Sequence, residues 1–209
     1  PIEETLSALD SLIQSGKVRY IGCSNYCGWQ LMKALGSADK HNYQRYISQQ
    51  VHYSLYTRDL EHELIPLAVD QNVGTLVWSP LSFGLLSGKY ARGKPMPEGT
   101  RLSTIEILGP TNWEKVYAIR DALEKIALSR SKTIAQVALN WVLQRPTVSS
   151  VIFGARTPAQ LHDNLGAIGW NLTAEEIASL VALTDERPPY PLWHQHSFGA
   201  DRHPLVVER

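Results

Sequence analysis

Segments with helical periodicity alternate along this chain with short apolar runs of strand length, and that alternation leaves few folds open. Ile2, Leu6, Leu9, Leu12 and Ile13 recur at helical spacing, and Gly16 follows as a stop signal. Val18 to Cys23 then reads as a strand ending at Ser24-Asn25. Trp29 to Ala38 reads as a helix, Tyr46 to Val51 as a second strand, and Leu60 to Gln71 as a helix. A third strand, Val73 to Trp78, follows at once. Beyond a long polar segment, Trp113 to Ser129 and Thr133 to Gln144 read as helices, and Ser150 to Phe153 as a fourth strand. Helices opened by Thr157-Pro158 and by Thr173 complete the order. Helix and strand in strict turn predict parallel strands joined by crossover helices, an α/β architecture.

The helix starts are well marked. Thr133 with Gln136, and Thr173 with Glu176, have the spacing of capping boxes. Thr157 stands at an N-cap position with Pro158 at N1 and Gln160 at N3. From Arg187 the chain is rich in Pro, His and aromatics without periodicity and reads as a tail.

The third strand empties into Ser79-Pro80, which no central strand tolerates. Ser82, Gly84, Ser87, Gly88 and Lys89 follow. A buried strand leading into a Gly/Ser loop with a lysine lets backbone N–H groups approach an anion, with a point charge nearby. Trp78, at the strand end, could stack on a flat ligand or simply fill the core. Polar residues also gather at the ends of the other strands: Ser24-Asn25, Gln49-Gln50, and Gly154 to Asn164. In a (β/α) barrel all these ends meet on the active-site face, and the last strand-to-helix turn, with Arg156, is the expected phosphate site. No GxGxxG follows the first strand, so the dinucleotide-binding open-sheet reading lacks its main cue.

Composition narrows the function classes. With 44% hydrophobic and 19% charged residues and a formal net charge of zero, the 209 residues suit a globular core. The charge balance gives no cause to expect nucleic acid or an anionic membrane as partner. No apolar run approaches the ~18 residues of a membrane span, and the acidic amphipathic start is not a signal peptide. Cys23 and Cys27 make neither a disulfide framework nor a metal pattern, so a cytoplasmic protein with free thiols is expected. His52, His62 and His162 lack ligand-like spacing and read as structural or surface residues. Tyr53 and Tyr56 read either as pocket lining or as filling of a barrel mouth, and Ser24-Asn25 reads first as a turn.

Four stretches in this order resemble the aldo-keto reductase family: GKVRYIGCSNY (Gly16 to Tyr26), WSPL with GLLSGKY (Trp78 to Tyr90), TIAQVALNWVL (Thr133 to Leu143) and GARTPAQLHDNLGAI (Gly154 to Ile168). The branch they resemble includes the potassium-channel β subunits and bacterial reductases. The resemblance implies a (β/α)8 TIM barrel, of which residues 1–186 would supply about the last four β/α units and residues 187–209 a tail. It implies NADP(H) as cofactor and a small-molecule aldehyde or ketone as substrate. Ser24, Asn25 and Gln50 would bind the nicotinamide carboxamide, and Trp78 would stack on its ring. Ser79, Pro80, Leu81, Ser82 and Phe83 would follow the pyrophosphate, with Lys89 and Arg101 closing over it. Gly154, Arg156, Gln160, Asp163 and Asn164 would hold the adenosine end, Arg156 beside the ribose 2′-phosphate.

The family's catalytic tyrosine, lysine and aspartate lie on earlier strands, and its histidine falls just before Pro1, so no catalytic residue is expected within these residues. A full barrel has eight strands and typically ~250 residues. The chain is therefore expected to be a half-barrel, inactive alone, that associates with a missing N-terminal half or with itself. A cofactor-binding regulatory subunit is the alternative.

Overall fold

The computed structural model describes residues 1–95, 97–100, 102 and 110–198. Helix α1 (Ile2–Gln14) leads to β1 (Ile21–Ser24), α2 (Gly28–His41), β2 (Tyr46–His52), a 3₁₀ turn (Asp59–His62), α3 (Leu64–Gln71) and β3 (Gly74–Trp78). A second 3₁₀ segment (Ser82–Ser87) precedes α4 (Trp113–Arg130), α5 (Ile134–Leu143), β4 (Val148–Ile152), α6 (Pro158–Leu165), α7 (Ala174–Thr184) and α8 (Leu192–Phe198). The four strands form one sheet in the order β1-β2-β3-β4, every pair parallel.

Element edges move where backbone bonds, near or distant, are committed elsewhere or cannot form. β1 begins at Ile21 because the N–H groups of Lys17 and Val18 are committed to the Leu12 carbonyl at the end of α1. The segment 60–71 splits: Pro66 has no N–H to donate and its ring crowds the carbonyl four residues earlier, so α3 starts only at Leu64 after a 3₁₀ turn. β4 starts at Val148, not Ser150, because β3 recruits it: Thr75 N–H donates to the Thr147 carbonyl at 2.9 Å, and the two threonine hydroxyls meet at 2.9 Å. The tail carries a short helix, α8, with no buried residue. The capping boxes at Thr133 and Thr173 form as the spacing predicts. At Thr157 the hydroxyl accepts from Gln160 N–H, but the Gln160 side chain reaches one residue further back, to Arg156 N–H at 2.8 Å.

Among the described residues, the helices pack on one face of the sheet. Ile21, Cys23, Tyr46 and Val73 pack with Leu6 of α1 and with Leu31, Ala34 and Leu35 of α2. Val51 and Val77 pack with Ile119 and Leu123 of α4, Val137 and Trp141 of α5, and Leu180 of α7. Side chains alternate along a strand, so Ser24, Gln50, Leu76 and Ser150, paired in register, lie on the other face with His52, Trp78 and Ile152. That face is half-buried or exposed in every one of these residues. Its lower layer is tight: a Cβ on Gly22 would meet the Ser48 carbonyl oxygen at 2.7 Å, and one on Gly74 would meet the Ser149 hydroxyl at 2.7 Å.

Candidate active site

Three strand exits converge at the C-terminal end of the open face. Ser24 Oγ donates to the Gln50 carbonyl at 3.2 Å, and Asn25 N–H donates to the same oxygen at 3.0 Å. Asn25 sits at φ 56°, where asparagine is tolerated better than most residues. Its Oδ1 accepts from Trp78 Nε1 at 3.0 Å. This bond fixes which way the amide faces and keeps Nδ2 as the donor end. His52 stacks on Trp78 with centroids 4.6 Å apart and planes 20° apart, and Phe83 lies 6.0 Å from Trp78. The result is an indole ring held by an amide, backed by an imidazole and half-exposed to the open face.

The loop beyond Trp78 has an unusual backbone. Ser79 (φ 51°), Ser82 (φ 45°), Phe83 (φ 56°), Gly84 (φ 97°) and Gly88 (φ 87°) all lie in the left-handed region. Side chains with a Cβ dislike that region by roughly 1–2 kcal/mol each, and such strain collects at ligand sites. Local bonds hold it: Phe83 N–H donates to Ser79 Oγ at 2.9 Å, Ser82 N–H to the Ser79 carbonyl at 2.8 Å, and Gly84 N–H to the Leu81 carbonyl at 2.9 Å. Pro80 and Ser82 are buried, Leu81 and Phe83 half-buried. Lys89 Nζ lies 3.0 Å from where a Gly84 Cβ would be, so glycine is what lets the ammonium approach this backbone. The left-handed residues curl the backbone into a tight turn whose Ser82, Phe83 and Gly84 N–H groups are spent within the loop, with the Lys89 ammonium beside it.

The β4 exit lies beside this loop, because Ile152 pairs with Trp78. Gly154 and Arg156 are exposed there, and Arg156 N–H is held by Gln160. Asp163 is engaged elsewhere: its carboxylate accepts from Gln136 Nε2 at 3.1 Å and from Thr133 Oγ1 at 3.3 Å, tying α6 to α5. Asn164 is buried, 8% exposed, on the inner side of α6. Arg101 lies outside the described residues.

Sequence reading missed His52 as part of this site and missed a charged cluster behind it. Glu61 accepts from Tyr53 OH at 2.6 Å and from Arg58 Nη2 at 2.7 Å, while Arg58 Nη1 donates to Thr184 Oγ1 at 2.8 Å. Burial works against the Glu61 charge, but the bonds from Arg58 and Tyr53 win and hold its carboxyl below the usual range. Burial, with Glu61 adding to it, pushes the Tyr53 hydroxyl far above the ordinary phenol value. Burial also raises Tyr46, with Tyr26 adding to it, and lifts the Cys23 thiol to about 11. Among the described residues, then, the buried tyrosines with resolved shifts hold their protons more tightly than free phenols do.

Comparison with known proteins bears on the family and the fold. Residues 1–185 match the model of the aldo/keto reductase family. A putative voltage-gated potassium channel subunit beta from Schizosaccharomyces pombe is 37% identical over 175 residues, 80% of this chain and 50% of that protein. A versiconal hemiacetal acetate reductase from Aspergillus parasiticus is 31% identical over 180 residues, 86% of this chain and 52% of that protein. Among solved structures, the glycerol dehydrogenase AKR11B4 from Gluconobacter oxydans aligns with a TM-score of 0.74 at 31% identity, covering 91% of this chain and 57% of that one. The chain thus spans about half the length of the curated relatives it matches.

Proposed function

Because the chain belongs to the aldo/keto reductase family and folds as part of its (β/α)8 barrel, we propose that it supplies the dinucleotide-binding share of an NADPH-dependent reductase acting on aldehydes or ketones. One observation carries this reading. The half-exposed Trp78 plane, fixed by Asn25, opens directly into a left-handed Ser/Gly loop overlain by Lys89. A flat ring followed by a polyanion fits that sequence of surfaces. When bound, a reduced nicotinamide supplies the hydride equivalent for carbonyl reduction.

The residues present have definable tasks. Asn25 Nδ2, turned outward by the Trp78 bond, donates to a carboxamide oxygen, with Gln50 and Ser24 beside it on the same face. Ser79 through Phe83 line the path of a pyrophosphate, and Lys89 and Arg101 add charge. Gly154, Arg156, Gln160 and Asn164 form the adenosine end, with Asp163 bracing α6 against α5. Arg156 selects the 2′-phosphate.

The carbonyl oxygen also needs a proton donor of tuned pKa. The Tyr53 hydroxyl donates its hydrogen bond to Glu61, and burial drives its pKa the wrong way. The donor is therefore proposed to come from strands that complete the barrel over the open face, contributed by further polypeptide or by a second copy. Exposed Cys27, unpaired, suits a reducing cytoplasmic setting.

The test is reduction of 4-nitrobenzaldehyde by the natural polypeptide containing this chain, followed as NADPH consumption. Steady multiple turnover is expected, with Arg156→Ala weakening NADPH binding about tenfold while leaving NADH nearly unchanged, the scale of one charge-assisted contact. Equal loss for both dinucleotides would remove Arg156 from its role. A second reading has its own support in the identity to the channel-subunit relative: a cofactor-binding regulatory subunit. Tight NADPH binding without turnover on any carbonyl would favour it.

A further inference from the structure

Two loops leave neighbouring strands and touch at a single buried point. Ser54, two residues past the end of β2, is 0% exposed, and Ser82, in the left-handed loop past β3, is 1% exposed. Their hydroxyl oxygens are 2.6 Å apart. The direction of this bond follows from counting. A serine hydroxyl has one proton and two lone pairs. Ser54 Oγ already accepts from Tyr56 N–H at 3.2 Å and from Thr57 N–H at 3.1 Å, a bifurcated bond that it shares with its own carbonyl. With both lone pairs used, its proton goes to Ser82 Oγ. Ser54 is itself immobile, since its own N–H and carbonyl exchange bonds with Thr57 at 3.2 and 3.1 Å.

Ser82 opens the run of three left-handed residues, Ser82, Phe83 and Gly84. A run of that kind relaxes unless something outside it holds it in place. The other bonds described for the loop are internal to residues 79–87. The Ser54 proton, by contrast, anchors it to the rigid exit of β2. We propose that Ser54 is a positioning residue. It holds the Ser79–Phe83 loop in its anion-binding shape before any ligand arrives, and so sets affinity for the pyrophosphate part of a dinucleotide without touching it. This rests on the dinucleotide reading of the site but concerns a residue outside it.

The experiment uses the natural polypeptide with Ser54→Ala, Ser82→Ala, the double variant, and Ser54→Thr, which keeps the hydroxyl. Binding of NADPH is compared with binding of 1-methylnicotinamide, which can stack on Trp78 but carries no phosphate. Amide hydrogen exchange of residues 82–86 is measured without ligand. Ser54→Ala is expected to weaken NADPH about tenfold, the scale of one lost hydrogen bond in a preformed site. It should leave 1-methylnicotinamide within about twofold and quicken exchange at 82–86 while the helices stay protected. The double variant should be no worse than the worse single one, and Ser54→Thr should retain wild-type affinity. Unchanged NADPH affinity with unchanged exchange in Ser54→Ala would overturn the proposal, as would equal losses for both ligands. Should Ser54→Ala fail to fold, Ser54→Cys and Ser82→Ala test the same bond from a weaker donor and from the acceptor side. If the wild type bound no NADPH, the dinucleotide reading would fall, while the exchange measurement would still decide whether Ser54 holds the loop.

Discussion

At the scale of single residues, the site couples ring packing to backbone strain and to protonation. Phe83 carries a benzyl group at φ 56° and leans on Trp78. Phe83→Gly should relieve the left-handed penalty, but it gives up the ring's packing on Trp78 and adds unfolded-state freedom, so ligand-free stability should change by no more than about 1 kcal/mol while NADPH binding weakens. Thermal unfolding and fluorescence titration on the same variant check the two effects. His52 gives a second prediction. Its Nε2 is buried with no hydrogen-bond partner, and burial lowers the imidazole pKa from 6.5, with the Asp59 charge acting the other way. The folded state thus binds this proton less readily than the unfolded state. Stability should be complete above about pH 6.5 and fall as pH drops below it. Urea denaturation at about pH 7.5 and pH 5.5 should reveal that fall, and His52→Phe, which keeps the stacked ring, should flatten it.

At the scale of elements, local signals and distant bonds divide the work. Periodicity and caps were legible because they are properties of neighbours: Thr133 and Gln136, or Thr173 and Glu176, sit within one helical turn. What joins elements was not. Asn140 is one letter inside an apolar run, yet its Nδ2 donates to the carbonyls of Ala167 and Trp170 and its Oδ1 accepts from Leu172 N–H, fastening α5 to the link between α6 and α7. The start of β4 depends on Thr75 meeting Thr147 across 72 residues of chain. The left-handed run at Ser82 and Phe83 is hidden for the same reason, since neither residue type announces a positive φ. The candidate site was legible only as residue types at strand ends; the Trp78–Asn25 bond, the His52 stack and the Ser54–Ser82 contact are facts of folding. The Arg58–Glu61 pair belongs here too, because Arg58 also bonds the Val181 carbonyl and Thr184 of α7 and so ties the β2 exit to that helix. Arg58→Met should leave the Glu61 charge half-buried without its partner and cost about 3 kcal/mol, read from urea midpoints. Acid should mimic part of this loss: the Glu61 contribution is complete above its unfolded pKa near 4.5 and disappears as pH falls through the lower folded value.

At the scale of the whole molecule, four parallel strands in chain order with helices on one side make an open arc. β1 and β4 each present an edge unpaired among the described residues, and such edges recruit other strands. We therefore expect residues 1–209 alone to show no measurable reductase activity and to self-associate or bind a complementary half, with turnover restored when that half is supplied. Light scattering and an aldehyde assay on the isolated chain and on the mixture check this. Leu76→Lys offers a finer test: it lies on the open face and outside the apolar clusters. It should alter the isolated chain's stability by no more than about 0.5 kcal/mol and still abolish recovery of activity on mixing.

The contrast between the two faces of the sheet bears on how such a barrel could be divided. The apolar clusters built around Val51, Val77 and Ile21 are filled by helices of this same chain, while the opposite face sets Ser24, Gln50 and Ser150 among Leu76, His52, Trp78 and Ile152. A boundary drawn along that face cuts through hydrogen-bonding strand edges and a mixed polar and aromatic layer and leaves the helix-packed clusters whole. This makes the seam a natural place to split the protein into a two-part reporter. Each part could be produced on its own, and mixing would turn on a fluorescence change at Trp78 and an NADPH-consuming reaction together. The signal would measure how closely two proteins fused to the parts approach one another.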